Sequence, residues 1–224
     1  MEKVISRDII AAKPNQILLA CGAVAGPVYI TVGVIQILIR PGYDPTRHDL
    51  SLMSNGELGW IQIANFVLAG LLVIVGAIGM RHVLLGSRAG TWGPLLIGIY
   101  GLGLIGAGIF VADPALGFPP GTPIDAHEMS QHGILHFVTG GIGFLAFIAA
   151  CFVFARRFSV LQQRGWAVYS LLTGIVFFAA FFGIATGAQL GGNVLVFVTL
   201  AFTVAVVSAW AWLSAIFLRL IKVH

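Results

Sequence analysis

Glu128, His132 and His136 stand at i, i+4 and i+8 where a Pro- and Gly-rich loop gives way to an apolar run. On a helix that spacing lays all three along one stripe. Two histidines four apart can hold one metal ion from a single helical face, and a bound ion would acidify a water for hydrolysis. The pair supplies only two ligands. Asp113, at the end of the preceding apolar run, is the natural third, and His48 or His127 either completes the shell or stays out and leaves a water position. Zinc suits such a set. In this reading His132, His136 and Asp113 hold the ion, and Glu128 or His48 carries the proton. The plainer reading, histidines hydrogen-bonded within a membrane bundle, is the commoner outcome for a lone pair at this spacing.

Five further polar residues are candidates for binding a substrate: Ser51, Ser54, Gln62, Asn65 and Ser130. Gln62 and Asn65 lie three apart in one apolar run, with Gln36 at similar depth in another. They read as interhelical hydrogen bonds or as the lining of a polar pocket beneath the histidines. Ser54 and Glu57 have the spacing of a capping box, and Ser130 stands where it would cap the run carrying His132 and His136. Capping alone is the plainer role for both serines. Three other chemistries lack their parts. Lys3, Lys13 and Lys222 all fall outside the apolar runs, so a retinal Schiff base has no attachment point. A haem bridged by two helices needs a histidine facing His136 at its own depth, and the sequence offers none. No strand carries a Gly-rich phosphate loop, so no nucleotide is expected. A Ser–His–acid hydrolase from Ser51, Ser54 or Ser130 with a nearby histidine stays open, although no nucleophile-elbow sequence supports it.

The elements that must position these residues are membrane spans. Of the 224 residues 58% are hydrophobic and 9% charged, with a mean hydropathy of +0.99. Soluble domains carry about 25% charged residues. Six runs, roughly Gln16–Ile39, Asn55–Met80, Thr91–Val111, Gln131–Ala155, Trp166–Gly187 and Val194–Leu218, are long enough to cross a bilayer with some tilt. We therefore expect an all-α, six-helix transmembrane bundle forming a single domain over residues 1–224. Ten of the twelve basic residues fall on one side of these spans, and only Arg40 and Arg47 on the other. The positive-inside rule then places both termini in the cytoplasm, in a prokaryotic plasma membrane. Trp60 at the outer ends, and Trp92, Trp166, Trp210 and Trp212 near the inner ends, read as interfacial belts. The many glycines within the spans read as close helix packing, and Pro27 as a kink. Cys21 and Cys151 lie inside apolar runs and suggest no disulfide. No basic patch invites nucleic acid. The expected partners are membrane lipids, with a second copy or a membrane partner protein left open.

An offset of 76 sets Met53 on Met129 and Ser54 on Ser130, each segment following a loop that opens with Asp-Pro. Spans one and two are thus a candidate repeat of spans three and four, with chance similarity the alternative. Several of these residues also carry a resemblance. Tyr43-Asp44-Pro45, His48 to Ser51, Gly59-Trp60 with Gln62, Phe110 with Asp113-Pro114, and Ser130 with Gly133 and His136 are together similar to the bacterial and archaeal family called domain of unknown function 998. The similarity runs from about Ile17 to Leu218. It implies six helices and a polar outer site, and no activity. A looser chemical likeness, to intramembrane zinc amidases of the alkaline ceramidase and adiponectin-receptor type, suggests the hydrolytic mechanism above. The expectation is an exoplasmic polar pocket for a lipid or other amphiphile, with metal-dependent hydrolysis one form of it. The alternatives are a non-catalytic lipid-organising, scaffold or partner-binding subunit and, third, a small-molecule transporter.

Overall fold

A computed structural model describes residues 2–86, 88–124, 129–187 and 190–223, without the side chains of residues 2–13 and of Arg88. Six helices account for nearly all of it: α1 (Glu2–Ile39), α2 (Gly59–Val83), α3 (Arg88–Ile109), α4 (Gln131–Val160), α5 (Arg164–Gly187) and α6 (Gly192–Val223). All six are long and apolar enough to span a membrane, as their composition predicts. A short 3₁₀ turn, Leu50–Ser54, sits in the α1–α2 loop. Each helix packs on its neighbours in sequence and α6 returns to α1, so the helices form a closed ring, with α2 also meeting α6 across it.

In lipid no hydrophobic effect draws helices together, so close backbone approach has to supply the attraction. Glycines provide it along three seams. A Cβ on Gly76 of α2 would stand 2.6 Å from the Gly22 Cα of α1. Gly70 of α2 and Gly101 of α3 each press on the other's carbonyl oxygen, and Gly103 of α3 and Gly143 of α4 on each other's Cα. The packing expected of the glycines is what the helices use. α1 runs unbroken through Pro14 and Pro27.

The ring is filled by large side chains, among them Trp210, Trp212, Phe147, Phe154, Phe177 and Phe217, all essentially buried. Here the sequence reading needs correcting. Trp210 and Trp212 are core residues, whereas Trp60 (65% exposed) and Trp92 (55% exposed) do sit outside. The reason is local: Trp212 Nε1 donates to Ser170 Oγ at 2.9 Å, and Trp210 stacks on Tyr29. A tryptophan whose N–H finds a partner has no need of the interface.

A second correction concerns the start of α2. The helix begins at Gly59, four residues later than the sequence suggests, with Leu58 as an N-cap that offers no side-chain bond. Ser54 Oγ instead donates to the Ser51 carbonyl, and Glu57 is exposed, so the capping box does not form. Asp49 takes the capping role, accepting from Ser51 N and Leu52 N at the head of the 3₁₀ turn. By contrast Ser130 caps α4 as expected, its Oγ accepting from Gly133 N at 3.0 Å. Ser54 and Ser130, aligned by the offset of 76, thus do different work.

Candidate functional site

The α1–α2 and α3–α4 loops meet over one end of the ring, and His48 is the lock between them. Its ring is buried, 4% exposed. Asp44 N–H donates to Nδ1 at 3.0 Å, and Nε2 lies 3.1 Å from the Leu116 carbonyl, an oxygen that can only accept. His48 is therefore the neutral Nε2–H tautomer with both nitrogens committed. The carbonyl it holds belongs to a strained residue. Ala115 and Phe118 exchange backbone bonds around a two-residue turn in which Leu116 has φ 54° and Gly117 φ 84°. A non-glycine residue held there costs about 1 kcal/mol or more and persists because its surroundings fix it. Tyr43 completes the lock, donating its hydroxyl to the His48 carbonyl and meeting Phe118 edge-on. Burial pushes the Tyr43 phenol up, while hydrogen bonds from the Thr46 hydroxyl and N–H hold the Asp44 carboxyl below its usual value.

α3 and α4 clasp each other reciprocally. After α3 ends, Asp113 turns back onto the start of α4, accepting from Ser130 N at 2.8 Å and Ser130 Oγ at 2.6 Å. A carboxylate there complements the positive end of the α4 dipole. It lies so close that a Cβ at Gly133 would collide with it. In the other direction, His136 on α4 places Nδ1 2.8 Å from the Phe110 carbonyl and 3.1 Å from that of Ala107. These carbonyls at the end of α3 would otherwise go unpaired. Nδ1 thus carries a proton, because a carbonyl oxygen can only accept. His132, one turn nearer the rim, is exposed and meets the Phe110 ring.

Beneath the loops a polar column runs between α1 and α2. Gln36 Nε2 donates to Gln62 Oε1 at 2.7 Å, Gln62 Nε2 to the Tyr29 hydroxyl at 3.4 Å, and Asn65 Nδ2 to the Tyr29 carbonyl at 3.2 Å. Gln36 and Gln62 are fully buried, and Asn65 is 3% exposed. Arg40, four residues beyond Gln36, joins the column to the loops. Its Nη2 donates to the Asn55 carbonyl, and its guanidinium lies over the Phe118 ring. Burial lowers its pKa. Asn55 in turn donates to Ala112 O in the other loop. Three buried atoms in the column have no hydrogen-bond partner among the described residues: Gln36 Oε1, Asn65 Oδ1 and Arg40 Nη1.

Of the residues picked out by type and spacing, Gln62 and Asn65 share this column, Asp113 pairs with Ser130, and Ser51 and Ser54 bond within their own turn. Glu128, like His127 and Asp125, lies outside the described residues. Among the described residues no three of His, Cys, Asp and Glu gather into a group that would hold a metal ion. Asp113 is bound to Ser130, and His136 turns its Nδ1 to α3. The sequence reading missed Arg40, Asn55 and Tyr29 as site residues. The signal for Arg40 was available: it is one of only two basic residues on a face otherwise without them.

Residues 23–219 match the family model described as a protein of unknown function, DUF998. The chain belongs to the DUF998 family. That span runs from α1 into the last turn of α6, so the DUF998 match takes in the loop lock, the clasp and the polar column together. No curated protein and no solved structure matches the chain.

Proposed function

We propose that this membrane protein binds the polar head of a lipid or similar amphiphile at the α1–α2 column, and does so without chemistry. The supporting observation is the set of buried atoms without partners, Gln36 Oε1, Asn65 Oδ1 and Arg40 Nη1. Each such group costs about 1–3 kcal/mol, so together they consume a large part of the ~5–15 kcal/mol by which proteins are stable. Polar groups kept at that cost inside a membrane are a mark of function. The two amide oxygens call for donors and the guanidinium for an acceptor, so the matching head is hydroxylated or zwitterionic. Binding is favoured over hydrolysis because His48 has both nitrogens committed and the Asp113 carboxylate serves as a helix cap. The basic residues support an orientation with this face outside, both termini in the cytoplasm and the host a prokaryotic plasma membrane.

The test compares the wild type with Gln36→Met and Asn65→Leu. Co-purified lipid is quantified by mass spectrometry, and phosphatidylethanolamine is then titrated into delipidated protein. Each substitution removes one unsatisfied oxygen and also one amide hydrogen bond, to Gln62 Oε1 or to the Tyr29 carbonyl, so both variants are expected to stay within about 1–2 kcal/mol of the wild type in stability. Both are also expected to lose about tenfold or more in affinity, the equivalent of one good hydrogen bond. Unchanged phosphatidylethanolamine affinity and an unchanged lipid complement in both variants would sink the proposal.

A further inference from the structure

At the opposite end of the ring the α5–α6 seam holds a groove of about 300 Å³ lined by Trp166, Ala215, Leu218, Arg219, Lys222 and Val223. Five of these six come from α6 at positions 215, 218, 219, 222 and 223, the spacing of one helical stripe, and Trp166 closes it from the start of α5. The stripe is amphipathic in a particular way: Ala215, Leu218 and Val223 give an apolar wall, and Arg219 and Lys222 two cations one turn apart. Arg219 is held in place. Its guanidinium lies 4.8 Å from the Trp166 ring centroid and 5.5 Å from that of Phe158, and Nη2 donates to Gln163 Oε1 at 2.7 Å. Stacking leaves the edge of a guanidinium able to donate to an anion, and the order already imposed reduces what binding must fix. Lys222 is exposed. Among the described side chains, Arg81, Arg156, Arg157, Arg164, Arg219 and Lys222 share this end and no Asp or Glu does.

We infer that this groove is a site for an anionic phospholipid, its phosphate held by Arg219 and Lys222, its glycerol region against Trp166, and its acyl chains along Ala215 and Leu218. The charge calls for a phosphate, and the apolar wall beside it calls for the attached hydrocarbon. Basic pockets between helix ends at a membrane surface take such head groups. The site is independent of the α1–α2 column at the other end of the ring.

Full-length protein, stripped of lipid in detergent, is titrated by native mass spectrometry with phosphatidylglycerol, with phosphatidylcholine of the same chains, and with inorganic phosphate. Phosphatidylglycerol is expected to bind about tenfold or more tighter than phosphatidylcholine, and Lys222→Gln to weaken it about fivefold, as the loss of one surface cation should. Arg219→Lys, which keeps the charge without the stacked planar fork, is expected to fall between the wild type and Arg219→Gln in affinity. Because Arg219 also packs on Trp166, the deciding variant is that of exposed Lys222, with an unchanged melting temperature as its folding control. Equal affinity for the two lipids, phosphatidylglycerol binding indifferent to Lys222→Gln, or inorganic phosphate binding as tightly as the lipid would each overturn the assignment.

Discussion

His48 shows how a residue chosen for its chemistry can be spent on architecture. Its type and its place in an acid-rich loop suggest a proton carrier, yet each nitrogen bonds to backbone, one in each loop. Replacing it with Phe would keep the ring volume and leave the Asp44 N–H and the Leu116 carbonyl without partners. His48→Phe is therefore expected to cost about 1–3 kcal/mol, read as a lower melting temperature in detergent, with phosphatidylethanolamine affinity at the column changed less than by Gln36→Met. His136 differs, since among the described residues only its Nδ1 is bonded. No spacing rule reveals such distinctions, because they depend on which carbonyls another helix presents. Asp113 was legible as a neighbour of α4 because it stands at the end of the preceding span, which one loop joins to α4. That it would cap Ser130 was not, because any polar group of the loop could have reached that helix end.

At the scale of the helices, hydropathy located all six, since a bilayer dictates both length and composition. The start of α2 was misjudged because Ser54 and Glu57 have the spacing of a capping box, whereas the backbone is still turning there, with Gly56 at φ 74°. The glycines separate into two kinds that composition alone cannot tell apart. Gly70 faces the Gly101 carbonyl at a point where an added Cβ would stand 2.6 Å away, whereas Gly98 has nothing within 4 Å. Gly70→Val should force α2 from α3 and destabilise by about 1–3 kcal/mol. Gly98→Ala should be neutral or stabilise by up to about 1 kcal/mol, as alanine does in helix interiors. Thermal denaturation of the two variants side by side checks the contrast, and an equal loss in both would contradict the seam.

For the whole molecule the separation of polar work from charge is the leading property. One end carries the locked loops and every acid whose side chain is described, and the other carries ten of the twelve basic residues. A C-terminal fluorescent-protein fusion is expected to glow and a C-terminal alkaline phosphatase fusion to be inactive in a bacterial host; the reverse result would invert the orientation. The sequence held this asymmetry in plain view, because charge counts need no coordinates. The α1–α2 column was only half visible. Gln36, Gln62 and Asn65 could be placed at one depth, but the ring order that sets Tyr29 against them, and Arg40 beneath Phe118, is a tertiary fact.

The locked loops also have a mechanical consequence. His48, Asn55 and the α3–α4 clasp sew four helices together at one end, and among the described residues no side-chain bond joins the α5–α6 turn to them. A ring hydrogen-bonded through its loops on one side and held mainly by packing on the other deforms like a book held by its spine. When the surrounding bilayer thins or stretches, α1 to α4 should tilt as one stiff board, and α5 and α6 should be the pages that move.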